Sequence, residues 1–152
     1  MRWLPILVAL ATLLAPLPGR AHEVRPAYLD LREERPGEFS VLWKTPMLGE
    51  MRLALDPVFS GRVEALTPVA AQMTGDAAVQ TWRVRAENLR GQTLRIDGLE
   101  TTLTDVLVRV AFTDGSTWVH RLHRGSPRPS FPPGQTPGAW RVPISRSVSN
   151  TS

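Results

Sequence analysis

Between Val24 and Leu122 apolar and polar residues alternate with a period of two, and helical spacing is hard to find. That period sends successive side chains to opposite faces of an extended strand, so this stretch is constrained to β-sheet with one face turned into a core. Ala27, Leu29 and Leu31 form one such face against Tyr28, Asp30 and Arg32. Beyond a turn at Pro36 and Gly37, Phe39, Val41 and Trp43 alternate with Ser40, Leu42 and Lys44, which predicts a hairpin. Met51, Leu53 and Leu55 predict a strand that Pro57 stops, because proline cannot donate to a ladder. A weaker strand is expected near Arg62 to Leu66, and a loop from Thr67 to Ala77, where small residues carry little pattern. Val79 to Ala86 reads as a strand with Trp82 and Val84 inward, and Gln92 to Ile96 as a short strand closed by Asp97 and Gly98. The clearest local signal is Asp114-Gly115 between the runs Asp105–Thr113 and Ser116–Leu122. It predicts a tight hairpin whose two central residues both take positive φ, with Val106, Val108, Val110 and Phe112 as a buried face.

About seven short strands with no helices between them predict an all-β domain. The expected form is an antiparallel β-sandwich of immunoglobulin-like or Greek-key type, with a small barrel as the alternative. Trp43, Trp82 and Trp118 fall on inward strand positions and are expected to pack in its core.

The amino terminus carries a different signal. Met1 and Arg2 are followed by an uncharged run from Trp3 to Pro18, then Gly19, Arg20 and Ala21. A basic start, an apolar centre and small residues before a cut after Ala21 describe a secretory signal peptide. An uncleaved anchor is the alternative, but Pro5, Pro16 and Pro18 interrupt a run already short of the roughly 20 apolar residues a span needs. The expected organisation is therefore 1–21 signal peptide, 22–123 β-sandwich, and 124–152 a disordered tail rich in proline, serine and arginine, with a periplasmic or secreted product.

Composition removes several function classes. The chain has no cysteine, which excludes disulfides, thiolate metal sites and thiol catalysis. Of 18 basic residues, Arg2 and Arg20 lie in the signal, leaving 16 against 14 acidic ones, too even a balance to argue for nucleic acid. The carboxylates Glu33 and Glu34 sit beside the Pro36-Gly37 turn, where exposure explains them, and no nucleophile elbow or glycine-rich phosphate loop is present. The residues indicate no enzyme and no small-molecule substrate, with a hydrolase kept only as a remote option. Cleavage after Ala21 would make His22 the first residue, and a terminal histidine offers its amino and imidazole nitrogens to copper or nickel. Glu23 and His123 are the residues that could complete such a site; a disordered, unligated terminus is the plainer account. His120 and His123 would bring their rings together on a helix but lie on opposite faces of a strand, and His120 shares its face with Trp118 and Leu122.

Four segments suggest a relative: Ala21–Leu31 directly after the signal, Val41–Lys44, Leu53–Pro57 and Ile96–Arg109. Together they resemble the extracytoplasmic amino-terminal domain of HupE/UreJ-type bacterial membrane proteins, over roughly Ala21 to Leu122. In that family the resemblance implies a β domain ahead of a multi-helix membrane region rich in histidine and acidic residues, associated with nickel or cobalt uptake. Here Pro132 to Ser152 stands where the first membrane helix would begin. The resemblance therefore implies an accessory module whose partner is a HupE/UreJ-like membrane protein, or a truncated gene product; transport itself does not carry over.

Overall fold

The computed structural model describes residues 25–134. The signal segment, His22, Glu23 and the tail from residue 135 onward lie outside the described residues. The described chain is all-β: ten strands in two sheets, with one turn of 3-10 helix at Leu99–Thr101.

The larger sheet begins with β1 (Ala27–Arg35) and β2 (Glu38–Leu48), a hairpin closed by Pro36 and Gly37. Its order is β10 (Thr117–Leu122), β9 (Val106–Ala111), β1, β2, β7 (Ala77–Arg85), and β7 carries β5 (Glu64–Ala65) and β6 (Ala70–Thr74) along its far edge. The two-residue β3 (Met51–Arg52) folds back on the end of β2. All of these pairings are antiparallel except β1 with β9, which run parallel from Ala27↔Val106 to Arg32↔Ala111. The smaller sheet pairs β4 (Asp56–Phe59) with β8 (Leu94–Asp97).

The two sheets enclose one core. Ala27, Leu29 and Leu31 of β1, Phe39, Val41 and Trp43 of β2, and Val106, Val108 and Val110 of β9 are all at most 3% exposed. They meet Leu55, Leu94, Ile96 and Leu99 from the opposing layer, with Trp82 and Trp118 packed at the margins. Burying a side chain of this size contributes about 1.5–3 kcal/mol, so the alternation that defines β1, β2 and β9 is also the main source of stability. A buried hydrogen bond, Trp43 Nε1 to the Leu55 carbonyl at 3.1 Å, ties the layers together. Just past the β4–β8 pair, Gly98 lets the chain run close against the Ala54 backbone: it has φ of 83°, and a Cβ there would lie 1.9 Å from the Ala54 carbonyl oxygen.

Several features depart from the sequence expectations. There are ten strands rather than about seven, and the β1–β9 pair is parallel, which no alternation pattern can signal because each strand looks the same in either direction. The segment expected as a loop from Thr67 to Ala77 contains β6, whose five residues are all exposed and so need no apolar alternation. The strand expected from Met51 is split, and Pro57 sits inside β4 opposite Ile96. Proline is tolerated there because β4, among the described residues, is an edge strand. At the Asp114-Gly115 turn only Gly115 has positive φ, 83°. The Phe112 amide bonds the Ser116 carbonyl at 2.9 Å, so the loop spans three residues and needs left-handed geometry only at its last.

The last departure moves the domain boundary. The tail was expected to be disordered from Arg124, yet Leu94 donates to the Pro129 carbonyl at 3.0 Å and Phe131 donates to the Gln92 carbonyl at 2.9 Å. Ser130 bridges Thr93, so this stretch adds to the free side of β8. Phe131 is 1% exposed, edge-on to Trp118 at 5.1 Å between centroids and stacked near Phe59 at 6.2 Å. Proline is no obstacle here, because Pro129 contributes only its carbonyl.

Candidate binding face

Each β1 residue that points away from the core lies on the outer face of the large sheet, where alternation puts polar groups. Asp30 is the exception in degree: its side chain is only 6% exposed. A buried carboxylate is costly unless paired, and here both oxygens are engaged. Arg32 Nε donates to Oδ2 at 2.7 Å and Arg109 Nη1 to Oδ1 at 3.0 Å, with the Tyr28 hydroxyl at 3.4 Å. Burial pushes the Asp30 carboxyl up, but the hydrogen bonds and charges of Arg32 and Arg109 outweigh it and hold the group below the usual carboxylate range. Tyr28 is pushed up by burial and by the adjacent Asp30 carboxylate. Arg109 reaches Asp30 only because β1 and β9 pair side by side in the register Asp30↔Arg109.

From this anchor a row of cross-strand partners crosses the face: Val119, Arg109, Asp30, Leu42, Thr81 and Ala70. Beside it lies a second row with Arg32, Ser40 and Arg83. From Asp30 and Arg32 to Ala70 and Arg83, with Thr67 and Pro68 at the rim, this part of the face forms a shallow groove of about 590 Å³; Val119 and Arg109 lie outside it. Further along, Glu38 accepts from Arg83 at 3.3 Å and Arg85 at 3.1 Å, and Arg85 leads the causes that lower its pKa. Arg83 Nε also lies 3.7 Å from a Glu34 oxygen. Lys44 and Arg121 share this face, so cations outnumber carboxylates on it. Arg32 is 66% exposed even while bonded to Asp30, leaving guanidinium donors free to meet an acceptor from outside.

Glu33 has a different fate from the exposure expected of it. It accepts from the Gly37 amide at 2.9 Å and from the amide and hydroxyl of Thr113, each at 3.0 Å, locking two hairpin turns together. Burial raises its pKa, but these three bonds prevail and lower it. A second cleft of about 440 Å³ lies beside it, where Arg90 covers the Phe112 ring at 3.7 Å and bonds Asp114 at 2.6 Å.

Of the residues expected to hold a metal, His123 alone is described. It is exposed just after β10, with Nδ1 2.9 Å from the Arg124 carbonyl, while His120 stacks on Trp118 with centroids 5.3 Å apart. Among the described residues no three histidine, aspartate or glutamate side chains gather into a potential metal site. No described helix is long and apolar enough to cross a membrane.

Neither Asp30 nor Arg109 is among the site residues that the sequence suggests. The available signal was a lone carboxylate between Leu29 and Leu31 and a lone arginine between Val108 and Val110, each mid-strand; only the tertiary pairing joins them. Comparison with family models, curated proteins and solved structures finds no match for this chain.

Proposed function

We propose that this chain is an exported, non-enzymatic β domain that acts as an accessory module by docking through the outer face of its large sheet. The partner that the resemblance implies is a HupE/UreJ-like membrane protein. The observation that carries the reading is the Asp30 cluster. A carboxylate saturated by two arginines is unsuited to general base work, which needs a free, poised group. It is suited to holding arginines in fixed orientation, as a binding face requires, and charged faces of this kind set on-rate and register of association. The surplus of cations favours an acidic counterpart.

The test is binding of the mature full chain to a HupE/UreJ-like protein reconstituted in nanodiscs, at low and raised salt. Salt-sensitive binding that weakens at least tenfold in Arg32→Glu supports the reading, since rim charges govern salt-dependent association. Absence of binding by the parent chain, or binding indifferent to both salt and Arg32, overturns it. Native mass spectrometry with added nickel or copper addresses the remaining alternative. One bound metal, lost in His22→Ala, would replace docking by metal delivery through His22, Glu23 and His123.

A further inference from the structure

The two ends of the large sheet are finished differently. At one end β10 presents Arg121, paired with Asp105, and the stacked rings of Trp118 and His120. At the other, β5 carries Glu64, but β6 and the preceding Val69 carry no charge, and all five β6 residues are exposed. Among the described residues β6 pairs with β7 alone. Natural edge strands are normally blunted by lysine, proline or a bulge within them; Pro68 and the Gly75–Asp76 turn only delimit this one. The inner face also runs past its cover here. Thr45, Ala78 and Met73 are successive cross-strand partners whose exposure is 0%, 3% and 68%. Val69, immediately before the strand, is 52% exposed.

Hairpin geometry says which backbone groups are free. Thr74 and Ala77 flank the two-residue turn and exchange hydrogen bonds as its closing pair, so Gln72 and Ala70 also bond β7. Ala71 and Met73 then direct their N–H and C=O groups outward.

We propose that β6 pairs with β6 of a second copy of this chain, antiparallel about a twofold axis at Gln72. In that register Ala71 of each copy bonds Met73 of the other, using all four outward donors and acceptors of each edge. The inner faces of the two sheets become continuous, so each Met73 covers Ala71 of the second copy. Gln72 faces its own counterpart across the axis on the outer side. An identical strand is the occupant these features select: β6 itself holds no counter-charge to recruit a charged peptide, and a twofold contact lets one patch satisfy itself. The contact is small, in the range of transient interfaces below about 1,200 Å², so the dimer forms at high protein concentration. This inference stands apart from the outer-face reading and does not depend on it.

The experiment is sedimentation velocity of the mature full chain over a wide concentration series, with Gln72→Lys, Gln72→Glu and their equimolar mixture. Gln72 is exposed, so both variants should keep the fold. The parent should show a concentration-dependent monomer–dimer equilibrium. Each variant alone should associate about fivefold more weakly, because like charges then face one another across the axis, and the mixture should recover association. Amide exchange at Ala71 and Met73 should slow as the parent's concentration rises. A parent that stays monomeric, variants that dimerise as well as the parent, or β6 amides protected equally at every concentration would each overturn the proposal. So would association seen only when a membrane protein is added.

Discussion

The inner and outer faces of the large sheet each bury a polar side chain among otherwise ordinary alternation, and they treat it in opposite ways. Thr45, on the inner face, is 0% exposed, and its Oγ1 has no hydrogen-bond partner among the described residues. Asp30, on the outer face, is nearly as buried, yet both carboxylate oxygens are bonded to arginines. The inner face is held by apolar volume and tolerates a wasted hydroxyl. The outer face spends its order on a charge network, an arrangement that stability alone does not call for, since a well-packed apolar substitute is often as stable.

The contrast can be broken at several points. The largest effect is expected from Phe131→Ala, about 4 kcal/mol of lost stability, since truncating a buried phenylalanine leaves a cavity. A urea midpoint unchanged from the parent would return the domain boundary to His123. Leu29→Ala should cost about 3 kcal/mol by the same mechanism. Its neighbour on the opposite face, Asp30→Ala, should cost less, about 2 kcal/mol, because Arg32 and Arg109 keep access to water once freed. Should the two substitutions rank the other way in denaturant melts, the charge network and not the core would dominate this strand. Thr45→Val carries the opposite sign: replacing an unpartnered buried hydroxyl by a methyl group of similar shape should raise stability by about 1 kcal/mol, read as a higher Tm.

The smallest effect concerns pH. Asp30 and Glu33 both have pKa values lowered in the folded state, so each contributes stability that is present above its unfolded value. That contribution fades as pH falls from the ordinary carboxylate range through the lower folded values. Asp30→Asn should therefore flatten the acid limb of a stability profile while leaving the neutral region level. An acid limb identical to that of the parent would mean that Asp30 does not titrate as its partners imply.

The all-β class, the β1–β2 hairpin and the inward residues of β1, β2, β7 and β9 were legible in the sequence. Each rests on a local rule: a period of two for faces, and proline with glycine for turns. The same local rules misplaced β6 and the stretch around Phe131. An exposed edge strand has no buried face to pattern, and proline excludes donation to a ladder without excluding acceptance. The site was less legible than the fold. Nothing near Asp30 in the chain announces Arg109, which lies 79 positions away.

What the sequence determined alone is which side chain belongs to which face, because alternation within a strand is a property of the backbone and needs no partner. What only the tertiary structure decided is which strands are neighbours, in what direction and register. Backbone hydrogen bonding is indifferent to side-chain identity, so parallel pairing of β1 with β9 emerges only when both strands bury their valines and leucines against the same opposing layer. That choice places Arg109 beside Asp30, while pairing with β7 leaves β6 as an uncharged stretch of the opposite edge.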